Sequence, residues 1–154
     1  MRIALVGLGG MLAACSKELP GDYTGTLSET CSITQTSDVR AAPSGLVGTV
    51  TSCGGGGVKA GFVLHVAKRA AKDKLEIDLE GCKIALSERD SRASVDPDQT
   101  CTLNVTGYEG KTTVDGTLSK LADDNGIQLT IDFLAAEHDT SGAFTVEFTG
   151  QRVK

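Results

Sequence analysis

From Tyr23 to the end of the chain, apolar and polar residues alternate in short runs separated by Gly, Asp and Asn. This two-residue period belongs to β-strands that bury one face. The first run is Tyr23–Thr34, with Leu27, Cys31 and Ile33 in phase. A polar loop, Ser37–Ser44, holds Pro43, and a second strand follows over Leu46–Cys53. Gly54–Gly57 reads as a flexible turn, because it lacks the Gly-Lys-Ser/Thr of a phosphate loop. Over Phe62–Lys68 two periods compete. Phe62, Leu64 and Val66 alternate as in a strand, whereas Val63, Val66, Ala67, Ala70 and Ala71 fit a helical face. The reading adopted is a strand that turns near Ala71–Asp73. Lys74–Leu79 places Leu75, Ile77 and Leu79 on one face. The phase flips at Gly81 and resumes with Cys82, Ile84 and Leu86, which predicts a β-bulge there. Ser87–Asp98 reads as a charged loop containing Pro97.

Four further strands are predicted, over Thr100–Thr106, Thr112–Leu121, Ile127–Leu134 and Ala143–Gln151. Tyr108-Glu109-Gly110 is expected to close the first of their hairpins. Asp123-Asp124-Asn125-Gly126 is expected to close the next, Asn-Gly being a strong hairpin signal. Gly25-Thr26-Leu27-Ser28 recurs as Gly116-Thr117-Leu118-Ser119. About eight antiparallel strands with no convincing helix predict an all-β domain. An up-and-down barrel is expected, with a two-sheet β-sandwich as the alternative. Hairpin-length connections favour the barrel.

Of the five cysteines, four lie within the β-patterned region: Cys31, Cys53, Cys82 and Cys101. No two of them are separated by the two to four residues typical of zinc sites, so no metal is expected. An even number fits two disulfides in an oxidising compartment. Cys82 shares a face with Ile84 and Leu86, and Cys101 shares one with Leu103 and Val105. The favoured pairs are therefore Cys82–Cys101 and Cys31–Cys53, and the other two connectivities stay open.

The fifth cysteine ends a different kind of segment. Arg2 precedes an apolar run from Ile3 to Met11, followed by Leu12-Ala13-Ala14-Cys15. A positive start, an apolar stretch and small residues before a cut are the parts of a secretory leader. The tetrapeptide resembles the lipobox of bacterial lipoproteins. That resemblance implies removal of residues 1–14 as a signal peptide and lipidation of Cys15. It further implies a short tether over residues 15–22 carrying Pro20-Gly21, and one β-domain over residues 23–154. Ser16 after the lipidated cysteine implies sorting to the outer membrane of a cell envelope. A dinucleotide loop is the competing reading of Gly7, Gly9 and Gly10. It requires glycine at position 12, where Leu12 stands, and no βαβ pattern follows.

The formal charge of −5 becomes −6 when Arg2 leaves with the leader. A mildly acidic body disfavours nucleic acid as a partner and leaves the lipid as the only link to a membrane. Candidate chemistry is sparse. Glu137-His138-Asp139 reads as a solvated turn, and His65 as a core-edge histidine. Ser87, Ser91 and Ser94 lack a nucleophile elbow. Asp96/Asp98 and Asp123/Asp124 read as turn residues, since no calcium loop is present. With no Trp and two Tyr, Tyr23 and Tyr108, sugar stacking has little to work with. No cofactor and no catalytic residue are expected. The function expected is non-enzymatic binding or display from the envelope, toward an envelope protein or a small apolar ligand. The alternatives are a lipocalin-like carrier of a small apolar ligand and an inhibitor of a periplasmic, lysozyme-type hydrolase. Small lipoprotein lysozyme inhibitors resemble this chain in anchor, size and barrel build. Their Tyr-x-Cys and Ser-Gly-x-x-Tyr motifs are not found here; Ser141-Gly142-Ala143-Phe144-Thr145 is a partial echo.

Overall fold

The structure is a computed structural model that describes residues 18–37, 48–51, 57–79, 81–105, 108–123, 125–137 and 140–154. Among the described residues eleven strands are present: β1 Gly21–Cys31, β2 Thr34–Ser37, β3 Gly48–Thr51, β4 Val58–Lys68, β5 Lys74–Leu79, β6 Cys82–Arg89, β7 Arg92–Val95, β8 Thr100–Val105, β9 Tyr108–Lys120, β10 Gly126–Glu137 and β11 Thr140–Arg152. Eight of them close into an antiparallel barrel in the order β1-β4-β5-β6-β7-β9-β10-β11, and β11 pairs back onto β1. This is the up-and-down barrel expected from the pattern. β8 continues the position of β7 along β9, so one long strand serves two short neighbours. The β2–β3 hairpin is attached at Thr140 and Ser141, the start of β11.

The alternation in sequence fills the lumen. Leu64 and Val66 from β4, Leu75 and Ile77 from β5, Ile84 and Leu86 from β6, and Ile127 to Phe133 at alternate positions of β10 are all buried. Phe144, Val146 and Phe148 face them from β11. Phe62 and Phe148 meet edge-on at 6.0 Å between ring centroids, and Phe133 and Phe144 lie 6.2 Å apart. The outward positions of β1 and β11 are rich in threonine, whose branched side chain suits a pleated surface open to water.

Three sequence expectations change. First, Gly81 marks a hairpin and not a bulge. Leu79 pairs with Cys82, Gly81 takes φ +88°, and its N–H donates to Asp78 Oδ1. A tight turn inverts side-chain phase just as an extra residue does, so the pattern alone cannot separate them. Second, the expected loop Ser87–Asp98 contains a hairpin, in which Arg89 pairs with Arg92 around a turn at Asp90 with φ 59°. Third, Tyr108–Gly110 belongs to β9 and pairs with β8, so it is strand and not turn. The chain over Phe62–Lys68 is strand, as expected, and it turns at Asp73 with φ 56°. The Asn125-Gly126 connection joins β9 to β10 as expected. The expected strand Leu46–Cys53 is described only over Gly48–Thr51.

The repeated tetrapeptide performs one local task twice. A Cβ on Gly25 would sit 2.1 Å from the Thr149 carbonyl oxygen, and one on Gly116 would sit 2.2 Å from that of Thr130. Each glycine lets the neighbouring strand close in, and the leucine two positions on, Leu27 or Leu118, enters the core. Gly25→Ala is expected to destabilise the barrel by about 3 kcal/mol, because its obstacle is backbone that cannot rotate away. Urea unfolding of the purified variant checks this; a loss under about 1 kcal/mol would show that β1 and β11 can separate cheaply.

Candidate functional site

The two ends of the barrel differ. At the end where β1 begins and β11 finishes, the chain seals the lumen. Leu19, in the stretch expected to be tether, is fully buried, and its carbonyl accepts the Tyr23 hydroxyl at 2.8 Å. The Arg152 guanidinium stacks 5.0 Å from the Tyr23 ring centroid. It donates to the Tyr23 hydroxyl at 2.7 Å, to the Pro20 carbonyl at 2.8 Å and to the Glu18 carbonyl. Burial pushes the Tyr23 phenol above its ordinary pKa against the pull of Arg152, so it stays a neutral donor. The entering segment is thus clamped by the last residue of the last strand.

The opposite end holds a cavity of about 120 Å³. Leu27, Phe62, Phe133, Phe144 and Val146 form one wall, and Leu79, Cys82 and Leu103 another. Glu29, Thr102 and Asn104 are its polar members among the described residues. Thr102 and Asn104 are exposed. Glu29 follows Tyr23 and Leu27 at the inward positions of β1, so its carboxylate enters the lumen end with its side chain only 13% exposed. Lys59 Nζ meets its Oε1 at 2.7 Å from the rim. Sequence reading missed Glu29. The signal was present as a charged residue in the apolar phase between Leu27 and Cys31.

Beside the cavity the barrel wall is closed in an unusual way. Among the described residues β6 and β8 share no backbone ladder. Instead Cys82 and Cys101 form the expected disulfide, with Cα atoms 5.9 Å apart. The Gln99 side-chain amide acts as a substitute strand residue. Its Oε1 accepts the Ala85 N–H at 2.8 Å, and its Nε2 donates to the Ala85 carbonyl at 2.7 Å. The two cysteines were expected to meet across one hairpin. They meet across the gap left where β7 ends, because β8 continues the same course along β9. Cys31 is also disulfide-bonded. Its expected partner Cys53 lies outside the described residues, as do Cys15, Ser16, Asp124, His138 and Asp139.

Next to this seam Lys74 Nζ contacts both Asp96 oxygens, at 2.9 and 2.8 Å, and Ser87 Oγ at 2.6 Å. Ser87 also donates to Asp96. Hydrogen bonds from Lys74 and then Ser87 hold the Asp96 carboxyl below its ordinary pKa. A depressed carboxylate is a poor base, so the trio acts as a lock between β5, β6 and the chain after β7, and not as an activated serine. His65 is not at a core edge. It points outward from β4, 70% exposed, and pairs with Asp22 at 2.5 Å on the exposed surface. The strand period explains this, since Leu64 and Val66 take the inward positions. Ser91 lends its carbonyl to Lys120 N–H, and Asp123 accepts the N–H groups of Asn125 and Gly126 in the β9–β10 turn. Tyr23 and Tyr108 are buried, so neither offers a ring to a sugar. Among the described residues no group of three potential ligands is placed to hold a metal.

Two variants check the seam. Asp96 titrates below its unfolded value near 3.9, so its stabilisation is present above that pH and is lost as pH falls through the folded value. Asp96→Asn is therefore expected to lose about 1 kcal/mol at pH 7. Below pH 4 the difference from the parent is expected to shrink, in urea unfolding at the two pH values. Replacing Cys82 and Cys101 together by Ala is expected to cost about 3 kcal/mol for a disulfide closing a loop of this length, read by the same assay.

Against models of known families, curated proteins and solved structures, the chain has no match.

Proposed function

We propose that this is a lipid-anchored envelope protein, without catalytic activity, that presents the far end of its barrel for binding. The observation that carries this reading is the opposition of the two ends. The chain enters the barrel through Glu18–Pro20, clamped under Arg152, while the cavity with Glu29 lies at the other end. Only two residues separate Cys15 from Glu18, which holds the sealed end within about 10 Å of a lipid on Cys15. β11 runs the height of the barrel with 13 residues. At about 3.3 Å per residue and a tilt near 40°, the far end stands about 30 Å away from the sealed one. An anchored barrel built this way turns its cavity away from the bilayer.

Binding is favoured over catalysis because the polar clusters are already satisfied. Lys74, Ser87 and Asp96 saturate one another, and His65–Asp22 sits on an open surface. A filled lumen disfavours the lipocalin-like carrier. Its cavity of about 120 Å³ is well below the roughly 300 Å³ and upward of drug-sized ligand sites.

Expression in a Gram-negative host, followed by intact-mass measurement with and without reduction, tests the anchor. The expected product runs Cys15–Lys154 with three acyl chains and shows four alkylatable thiols only after reduction. Cys15→Ser is expected to abolish acylation and release the protein from the membrane fraction. A product that retains Met1 and carries five free thiols would overturn the anchor.

A further inference from the structure

Glu29 is the one carboxylate among the described residues that line the far-end cavity, and its place there is costly. Inward positions beside it on β1, β10 and β11, namely Leu27, Ile131, Phe133, Phe144 and Val146, are apolar, and the buried Thr112 spends its hydroxyl on the Cys101 carbonyl. A carboxylate in such a position carries about four acceptor sites and demands donors. Lys59 supplies one, at Oε1, from a rim position where the lysine side chain is 48% exposed. Oε2 has no hydrogen-bond donor among the described residues. A charged residue that interrupts the apolar phase of a strand and is only partly satisfied by the fold is where sequence consistency is given up for function.

The surrounding surface defines what can approach that oxygen. Phe62, Phe133 and Phe144 with Val146 offer an apolar enclosure of about 120 Å³. Engineered cavities near 150 Å³ take up benzene, so a single ring or a branched four-carbon group matches this space and a fatty acyl chain does not. With Lys59 held on Oε1 at the rim, an anionic head inside the apolar enclosure would meet the Glu29 carboxylate, whereas an ammonium there would find an acceptor in Oε2.

We propose that the far-end cavity is a binding site for a compact apolar amine, with a benzyl- or isobutyl-sized body between Phe62, Phe133 and Phe144 and its ammonium on Glu29. The site deepens the binding reading above and does not rest on the anchor. The site's failure would leave the mass measurement untouched, and failure of the anchor would leave the site untouched.

The test uses the full chain carrying Cys15→Ser, so that no lipid competes for the probe. Benzylamine is titrated at pH 7 while the methyl resonances of Leu27, Leu79, Leu103 and Val146 are followed by NMR, with toluene as the uncharged probe. Saturable shifts of these methyls are expected. Glu29→Gln is expected to weaken benzylamine about tenfold and to leave toluene unchanged. Filling the cavity with Val146→Phe, or with Leu103→Phe should the first variant not fold, is expected to abolish both. Absence of saturable shifts, equal benzylamine affinity in Glu29→Gln, or retained binding in a folded cavity-filled variant would each overturn the site.

Discussion

The ladder between β1 and β11 is the constraint on which the rest depends. It sets Tyr23 opposite Arg152 and Cys31 opposite Phe144, joining the start of the barrel to its end. Without it the strands form an open meander with two exposed edges, each a template for unwanted pairing. With it, every strand of the ring has a neighbour on both sides, and the alternating side chains acquire an inside. The ladder also carries a closure cost, because contacts of such long sequence separation form only after the intervening chain has ordered. Gly25 and Gly150, which face each other across it, let the two backbones meet closely enough to seal it.

Closure divides the molecule into two unlike ends. At one, Arg152 gathers the entering chain and the Tyr23 hydroxyl into a satisfied network, and Leu19 plugs the lumen. At the other, the apolar filling stops short and Glu29 intrudes. Between them runs the seam of β6 and β8, where a disulfide and the Gln99 amide replace backbone pairing. The Lys74–Asp96 pair fixes the chain just before that replacement begins. Stability and the candidate site are therefore neighbours, sharing Cys82 as a wall residue.

The period-two pattern was enough to locate most of the barrel, because a strand with one buried face must alternate. It misled where two geometries produce one pattern. Gly81 inverts the phase as a bulge would, and only the pairing of Leu79 with Cys82 shows a turn. It failed over Glu88–Ser94, where charges dominate and the inward positions hold Glu88 and the small Ala93, which advertise no strand. His65 was misplaced because its apolar neighbours suggested burial, although their alternation already assigned it outward. Glu29 was visible as a break in phase. Its meaning needed the other strands, since a carboxylate in one strand gives no hint of the three phenylalanines that will surround it.

The sequence by itself determined the all-β class of the fold, and it favoured, without deciding, the barrel over the sandwich and Cys82–Cys101 among the possible pairings. These follow from local alternation, short connections and shared strand faces. The tertiary structure alone decided that β8 takes over from β7 along β9, that Arg152 clamps the entering chain, and that Glu29 lines a cavity. Each of these joins residues far apart in the chain, and their meeting depends on strand order, register and closure, which local pattern does not encode.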